Sequence, residues 1–304
     1  MADLTRREFA ALAAAAAAAP FAHATLAEAA AITADDVIAR IKKHIGVEWK
    51  PDSVDAIKAG TASTIATGIV TTSSATMAVL QQAVKARANV IITTSPTFHA
   101  RSDAPAPPAG RGAAPQPAMP PDPVFTAKND FIAKHKLVVF RLSEHWQQRR
   151  PDPRVQGLAA ALGWAKHQSA GTPDHVNVPA LRLDALASHV KKALRSRGGI
   201  RVMGNPQNVV QRIGLLPGTT PIQAALKMLP GVDVIVAGEV REWETVEYVR
   251  DKVFAGEKKG LVLIGRLVSE EPGMEVCANW LKTFVTEVPV RHISAGDPYW
   301  RPTA

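Results

Sequence analysis

The sequence predicts an α/β protein in which buried parallel strands alternate with helices. Two apolar runs carry this prediction, Val90–Ile92 and Leu261–Ile264. Each run is short, continuous and followed by small or polar residues, as in a strand that is covered on both faces. The last hundred residues repeat the strand–helix alternation. Because ligands bind at the carboxyl ends of strands in open α/β sheets, we expect one cleft built on the ends of these two strands.

The composition is that of an ordinary globular protein. The chain has 304 residues, 46% of them hydrophobic and 21% charged, with a formal net charge of +9. No Lys/Arg-rich run or nucleic-acid motif concentrates that charge, so we expect no nucleic-acid partner. The single cysteine, Cys277, excludes an intrachain disulfide. Its place in the apolar series Met274, Cys277, Leu281 and Phe284 predicts a buried thiol.

The N-terminus has the layout of a secretory signal. Arg6-Arg7 is followed by an alanine-rich run from Ala10 to Pro20 and by the small-residue cleavage site Ala22-His23-Ala24. Paired arginines are typical of twin-arginine signals, so we expect residues 1–24 to be removed on export to the periplasm or the medium. A helical or disordered alanine-rich tail is the alternative. The run is too short and too weakly apolar for a transmembrane helix, and we expect no membrane partner.

The first helix is predicted over about residues 34–45. Thr33 is placed to cap it, Asp36 stands at the third helical position and Gly46 follows its end, which together form a capping box and a glycine stop. Ile38, Ile41 and Ile45 form its apolar face.

A strand–helix–strand unit is predicted next. Its first strand covers about residues 63–70, and the hydroxyl residues 71–74 are placed to cap the following helix. Met77, Leu80 and Val84 form the expected buried face of that helix. The second strand is Val90–Thr93, and such a unit places its two strands parallel in one sheet.

Residues 102–123, rich in Pro, Ala and Gly, are predicted to be a surface loop. Beyond that loop, we predict the following elements in chain order: a helix over about 126–134, the strand Lys136–Phe140, a helix Gly157–Trp164, a strand and then a helix within Leu181–Arg195, the strands Arg201–Met203, Gln211–Leu215, Asp233–Ala237, Leu261–Gly265 and Val288–Ile293, and helices at about 221–229, 241–255 and 270–284.

The predicted domain organisation follows from this order. Residues 1–24 are the signal peptide, and residues 25–135 are the first part of the α/β structure, with the loop 102–123 inside it. Residues 136–230 form a central α/β region, and residues 231–304 form a C-terminal part that completes the cleft.

Five segments form an ordered set of motifs. They are Gly68–Thr72 with Ala75–Leu80, Asn89–Thr93 with Pro96–Phe98, Arg141–Trp146, Asp233–Glu239, and Gly265–Met274. Together they resemble the Nif-three-like family, also labelled GTP cyclohydrolase 1 type 2 homologues or dinuclear metal centre hexameric proteins. The resemblance covers roughly residues 33–300. It implies two linked α/β domains, a toroidal homo-hexamer and a two-metal site in the cleft between the domains.

The family's metal ligands are a His-His or His-Glu pair, a central Asp and a His-x-x-x-Glu pair, and this chain departs from most of them. Thr94 and Ser95 occupy the first pair, Glu144 the Asp and Arg266 the later His, whereas Glu270 keeps the Glu. Hydroxyls are poor ligands for a first-row dication, and a guanidinium carries its own positive charge. We therefore predict that the dinuclear site is lost and that no cofactor is bound.

The remaining metal-ligand candidates each have an alternative role. Glu144 and Glu270 are the carboxylates available to a metal, but ion pairs with Arg266 explain them equally well. His145 and His99 lie near the assigned ligand positions, and each is a candidate to replace a lost ligand. A packing or hydrogen-bonding role is more common for a lone histidine.

The other candidate residues of the cleft are also open to two interpretations. Thr94 and Ser95 either contact a ligand or cap a loop. Glu239, beside Gly238 at a strand end, either lines the cleft entrance or is a solvated glutamate. Glu270 and Glu271 are expected to begin a helix, where negative charge is favourable without any functional role.

Two functional hypotheses follow. The first is an exported Nif-three-like protein whose cleft has lost its metals and either binds an anionic small molecule through Arg266 or serves a structural role, including that of a hexameric scaffold. The second is a metal-dependent hydrolase of the GTP cyclohydrolase 1 type 2 kind. It would hold two divalent ions with a rearranged set of Glu144, His145, Glu270 and His99. The sequence does not decide whether the protein is an enzyme.

Overall fold

Two β-sheets organise the part of the chain that this computed structural model describes, which is residues 31–99, 103, 122–196 and 198–300. The strands are β1 (Ile57–Ala59), β2 (Ile69–Thr72), β3 (Val90–Thr93), β4 (Val138–Arg141), β5 (Gln168–Ser169), β6 (Thr172–Arg182), β7 (Arg201–Met203), β8 (Val209–Thr219), β9 (Val234–Glu239), β10 (Gly260–Leu263) and β11 (Val290–His292).

Helices cover both sheets. The α-helices are α1 (Ala34–His44), α2 (Met77–Lys85), α3 (Pro123–Lys134), α4 (Glu144–Gln148), α5 (Pro153–Ala161), α6 (Leu183–Ala193), α7 (Ile222–Met228), α8 (Glu247–Phe254) and α9 (Arg266–Leu281). Short 3₁₀ turns at Ala165–His167 and Leu229–Gly231 and a π-helical turn at Glu242–Val246 complete the helical elements of the described residues.

The first sheet has the strand order β1-β4-β3-β2-β11, and every neighbouring pair is parallel except β1 with β4. Successive residues of β3 enter opposite cores, with Val90 and Ile92 on one face and Ile91 on the other. This alternation is the two-residue period of a strand. α1 and α9 cover the first face, and α2 and α3 cover the second.

The second sheet has the order β5-β6-β8-β9-β10-β7. β8, β9 and β10 run parallel, and the outer pairs are antiparallel. α5 and α6 pack on one face, whereas α7 and α8 pack on the other. The three parallel strands bring their carboxyl ends to one edge, which is the edge where ligands bind in such sheets.

α9 contacts both sheets. Its Met274, Cys277 and Leu281 lie in the core of the first sheet, and the same helix contacts β8 and β9. α9 also crosses α5 at close range, since a Cβ on Gly273 would lie 2.8 Å from the Cα of Arg154. The predicted buried thiol is confirmed, and burial raises the pKa of Cys277 above its ordinary value. α9 therefore positions the residues at its own N-terminus relative to both sheets.

The structure confirms the predicted α/β class and the details of α1. The Thr33 hydroxyl accepts the Asp36 N–H at 3.1 Å, and the Asp36 carboxylate accepts the Thr33 N–H at 2.8 Å, which is a capping box. Gly46 follows the helix with a φ of +75°. These features depend on neighbours in the sequence, so the sequence predicts them well.

The predicted cap of α2 was wrong. Thr76 caps this helix by accepting the Val79 N–H at 3.2 Å, because residues 71–74 belong to β2 and the turn after it. The hydroxyl of Thr71 instead donates to the Met274 carbonyl oxygen at 2.7 Å. The buried face of α2 is also rotated from the prediction: Val79, Leu80 and Ala83 are its buried residues.

Several other boundaries differ. The strand β1 was not predicted, since its three half-buried residues include a lysine. α5 begins at Pro153, after the Asp152 cap, rather than at Gly157. α9 begins at Arg266 rather than at residue 270, so Pro272 lies inside the helix and Glu270 and Glu271 are not in its first turn.

The sheets also divide the chain differently from the expected boundaries at 135/136 and 230/231. β4 belongs to the first sheet, β5 to β10 form the second, and β11 returns to the first. The expected signal peptide, residues 1–24, and nearly all of the loop 102–123 lie outside the described residues. Among the helices that are described, none is long and apolar enough to cross a membrane.

Candidate functional site

The candidate site lies where β3 and β10 end. Arg266, the first residue of α9, donates from its Nη1 to the Ser95 Oγ beyond β3 at 2.9 Å. The same nitrogen donates to the Glu270 Oε2, one turn further along α9, at 2.9 Å. The residues that follow these two strands are therefore in direct contact. The expected single cleft on both strand ends is not found among the described residues, because the cavity described below is lined from the ends of β9 and β10 and not from the end of β3.

Glu270 is buried between two arginines. Burial raises the pKa of this carboxyl above its ordinary value of 4.5, although the charges of Arg266 and Arg154 lower it. Glu270 and Arg154 both reach Gly218: a Cβ there would lie 2.7 Å from the Glu270 Oε1 and 3.1 Å from the Arg154 Nη1. Arg154 also binds Asp152, at 2.7 Å and 3.2 Å. Two cations and two carboxylates thus form one group.

The predicted pairing of Arg266 with Glu144 is not found among the described residues. The carboxylate of Glu144 has no hydrogen bond or ion pair there, and its backbone N–H donates to the Asp55 Oδ1 at 3.1 Å. Asp55 binds the start of α4, where Glu144 is the first residue. Arg154 and Asp152, which the sequence analysis did not single out, supply the remaining charges beside Glu270.

His145 is a buried hydrogen-bonded histidine. Its Nε2 accepts the Lys50 N–H at 2.8 Å, so its Nδ1 carries the proton and donates to the Asp55 Oδ2 at 2.7 Å. Its ring stacks on Trp49 with the centroids 3.8 Å apart. Both nitrogens are engaged, so neither has a lone pair for a metal. This is the packing role that the sequence analysis kept open.

Asp55 is the residue that organises this region, and the sequence analysis missed it. Besides His145, its carboxylate accepts the N–H groups of Ser143 at 2.6 Å and Glu144 at 3.1 Å. It lies 90 residues before His145 in the sequence. In the sequence, Asp55 is an acidic residue shortly before β1 that belongs to none of the motifs, so no sequence signal indicated its role.

Beyond the carboxyl ends of β2 and β3, residues with hydroxyl side chains pack together and are joined by hydrogen bonds. The carbonyl oxygen of Ser73 accepts the hydroxyls of Thr93 and Thr94, both at 3.2 Å, and the Ser95 N–H at 3.0 Å. All four residues are buried. We call them the closed end. His99 lies further along this loop, exposed and with a φ of +63°.

The carboxyl ends of β9 and β10 are different, because they open into a cavity of about 570 Å³. Gly238, Glu239, Gly265 and Arg266 line it on the strand side, and we call these four residues the open end. The segment Asp297–Trp300 forms another wall. Glu239 is exposed at the end of β9, and its carboxylate accepts the Thr219 hydroxyl at 3.4 Å.

The N-terminus of α9 faces this cavity without a side-chain cap. Its N-cap residue is Gly265, with a φ of +89° and open space where a Cβ would stand. The N–H groups of Arg266, Leu267 and Val268 have no partner within the helix, since the first helical bond is donated by Ser269. All three residues line the cavity. The partial positive charge of a helix N-terminus is therefore added to that of the guanidinium.

Glu271 ties α9 to the first sheet. Its carboxylate accepts the Ser73 N–H at 3.0 Å and the Ala295 N–H, and lies 3.9 Å from the His292 Nε2. Burial alone raises the pKa of this carboxyl, but the contacts with His292, Ser73 and Ala295 outweigh burial and lower it. Glu271 is thus an ionised structural acceptor.

The side chains at the positions that the resemblance assigns to metal ligands are engaged with other protein groups, and those described here do not fit a two-metal centre. The Thr94 hydroxyl donates to a carbonyl, and Ser95 accepts from a guanidinium. Glu270 is held by Arg266, whose charge repels a dication. Within the described ranges, no group of three His, Cys, Asp or Glu side chains is arranged to hold a metal ion.

Comparison with known proteins gives a result at the level of structure only. No family model matches the sequence, and no curated protein matches it. Solved structures do match. Staphylococcus aureus protein SA1388 is 15% identical, with a TM-score of 0.65 over 89% of this chain and 99% of that one. A Bacillus cereus protein related to NIF3 is 12% identical, with a TM-score of 0.65 over 89% and 99%.

A third match is ybgI, a protein of unknown function, which is 18% identical with a TM-score of 0.61 over 88% of this chain and 100% of that one. These structures are aligned over nearly their whole length. Sequence identities this low show the fold alone. The structural matches agree with the family resemblance of the five sequence motifs. The chain therefore has the fold of the NIF3 proteins.

Proposed function

We propose that this protein binds an anionic small molecule at the open end, in place of the family's dinuclear metal centre. One observation carries the proposal: the uncapped N-terminus of α9 and the guanidinium of Arg266 face the same cavity of about 570 Å³. Backbone N–H groups at a helix N-terminus form a common anion site. The cavity volume is within the range of small-molecule sites.

Arg266 retains donors for a ligand. A guanidinium has five N–H donors, and the bonds to Ser95 and Glu270 both use Nη1. Within the described part of the chain, no acceptor is bound to its Nε or Nη2, and the side chain is 32% exposed. The bonds at Nη1 orient the group, while its other edge is available for bidentate binding of a carboxylate or phosphate.

The proposal predicts binding without metal. Purified protein should contain no stoichiometric zinc, manganese or iron by elemental analysis. Phenyl phosphate and 4-methylbenzoate should bind saturably in isothermal titration calorimetry. Arg266→Gln should abolish this binding, whereas Arg250→Gln, an exposed arginine paired with Glu247, should not alter it.

A second variant guards against an unfolded Arg266→Gln protein. Leu267→Glu places a carboxylate in the first turn of α9, where it stabilises the helix but repels an anion. It should retain the melting temperature of the wild type and lose the two ligands. Unchanged binding in this variant would refute the proposed site.

The metal-dependent hydrolase remains the competing function. It would be favoured if the protein contained close to two metal ions per chain and lost them when Glu144 or Glu270 was changed. The two ring nitrogens of His145, both engaged, argue against its ligand set.

We further propose export and assembly into a homo-hexamer. The paired Arg6-Arg7 and the alanine run support export, and the family resemblance supports the hexamer. N-terminal sequencing of the cellular protein should find a chain that begins near Thr25, and an intact Met1 or Ala2 would contradict export. Light scattering should give six times the chain mass, and a monomer at micromolar concentration would contradict the assembly.

A further inference from the structure

The charges that the described residues place around the open-end cavity do not balance. Five charged side chains in that part of the chain line it: Arg201, Glu239, Glu242, Arg266 and Asp297. Arg201 is paired with Glu242, and Arg266 is paired with Glu270 outside the cavity. Asp297 accepts the Gly198 N–H at 2.8 Å and the Ser196 hydroxyl at 3.2 Å.

Glu239 differs from the other four. In the described part of the chain its carboxylate has no cationic partner and no N–H donor, only the Thr219 hydroxyl at 3.4 Å. Its backbone is held in place, since its carbonyl oxygen accepts the Thr220 N–H at 3.0 Å. Gly238 packs so closely that a Cβ on it would lie 2.8 Å from the Gly218 nitrogen. A fixed strand end therefore places on the cavity a negative charge that none of the described cations pairs.

Two exposed aromatic side chains line another part of the same cavity. Tyr299 and Trp300 line the same cavity and are 70% and 72% exposed. The segment that carries them is anchored, because Asp297 binds Gly198 and a Cβ on Gly198 would lie 2.5 Å from the Tyr299 Cβ. The face of an aromatic ring attracts a cation, most strongly in tryptophan.

We propose that the ligand of the open end is a zwitterion whose anionic group binds Arg266 and whose protonated amine binds Glu239 beside the ring of Trp300. This inference rests on the proposed function for its anionic half. It adds a substrate class, an organic acid that carries an amine at a distance from its acidic group. A purely anionic ligand leaves Glu239 unpaired in the occupied cavity, and a purely cationic one leaves the N-terminus of α9 unused.

Three matched probes separate the two halves. They are 4-(aminomethyl)benzoate, which has both charges, 4-methylbenzoate, which lacks the amine, and 4-methylbenzylamine, which lacks the carboxylate. Calorimetry on the full-length protein at pH 7 should give roughly fivefold tighter binding for the zwitterion than for 4-methylbenzoate, the size expected of an exposed ion pair with a cation–π contact. The amine alone should bind more weakly than either acid.

Variants then test which side chains cause the tighter binding of the zwitterion. Glu239→Gln should reduce the preference for the zwitterion over 4-methylbenzoate to less than twofold, because it removes the partner of the amine. Glu247→Gln, on α8 outside the cavity lining, is the control and should retain the fivefold preference. Trp300→Leu should weaken the zwitterion more than the simple acid.

The outcomes distinguish this inference from the proposed function. If 4-methylbenzoate binds and Leu267→Glu abolishes it, but the amine adds no affinity, the zwitterion inference is wrong and the anion site stands. A preference that survives Glu239→Gln also overturns the inference. If neither acid binds the wild type, both proposals fail.

Discussion

The closed end and the open end are both located where parallel strands finish, yet they have opposite character. At the closed end, the carbonyl oxygen of Ser73 is saturated by two threonine hydroxyls and one N–H, all of them buried. At the open end, glycines stand at the end of β9 and at the N-cap of α9, and a cavity of about 570 Å³ remains.

The difference shows that sheet topology decides where a site can form, whereas the side chains decide whether that site is open or filled. A parallel sheet offers a possible site at the end of each strand. Small hydroxyl residues that bond to one another close the site in the first sheet. Glycines and an uncapped helix leave it open in the second. Arg266 links the two, because it contacts Ser95 of the closed end from its place in the open end.

The largest effect is expected from breaking the support of the first sheet's strand ends. Asp55→Ala leaves His145 and the N–H groups at the start of α4 without their buried acceptor. We expect the free energy of unfolding to fall by about 3–5 kcal/mol in a urea titration, the usual cost of removing one partner of a buried pair. Asp52→Ala, at an exposed position three residues earlier, is the control. A loss similar to the control's would refute this role.

Removing the link itself should cost less. Arg266→Ala deprives buried Glu270 of one partner, but Arg154 remains beside it and Arg266 is partly exposed. We expect a loss of about 1–3 kcal/mol at pH 7, measured by urea unfolding. Arg250→Ala is the matched control on an exposed helix surface. An unchanged urea midpoint would show that the contacts of Arg266 between the closed end and the open end do not stabilise the protein.

The same variant should show a defined pH dependence. Burial raises the pKa of Glu270 in the folded state above 4.5, so the folded protein holds this proton more tightly than the unfolded chain does. Stability from this group is therefore lost as pH rises from 4.5 through the folded pKa. Without Arg266 the pKa of Glu270 rises further, so the loss caused by Arg266→Ala should be small near pH 4 and larger at pH 7. Equal losses at both pH values would contradict this account.

Ser95→Ala tests the closed-end side of the link. The Nη1 of Arg266 loses one of its two acceptors and keeps Glu270, so we expect a loss of about 0.5–1.5 kcal/mol. A double-mutant cycle with Arg266→Ala is the sharper measurement, because the two losses should not add if the contact carries them. Full additivity would show that the hydroxyl stabilises the protein in another way.

Thr94→Val should have the smallest effect. The substitution retains the shape and removes one hydroxyl, while the Ser73 carbonyl oxygen still accepts the Ser95 N–H and the Thr93 hydroxyl. We expect a loss below about 1 kcal/mol by thermal unfolding and no change in the binding of 4-methylbenzoate. A large loss of binding would mean that the closed end belongs to the ligand site.

Local features were predictable because their causes are neighbours in the chain. The capping box of α1 needs only Thr33 and Asp36. The strands β3 and β10 are recognisable in the sequence as apolar runs between polar residues. The start of α9 was predicted four residues late, because Pro272 and the paired glutamates resemble a first turn. Helix starts that depend on packing are not visible in such a pattern.

The candidate site was predictable only in part. Arg266, Ser95 and Glu270 were expected together and are in contact. Glu144 was expected with them and is not, and Arg154 was not expected beside Glu270. No local pattern signals such a contact, because α5 reaches α9 through the close crossing at Gly157 and Gly273.

The sequence by itself determined the alternating α/β order and the buried strands. These depend on local periodicity, capping and residue identity. Only the tertiary structure decided that Asp55 holds His145 and that the second sheet's strand ends form the open cavity. Burial and hydrogen-bond saturation are properties of residues far apart in sequence, so they exist only once the two sheets and α9 have packed.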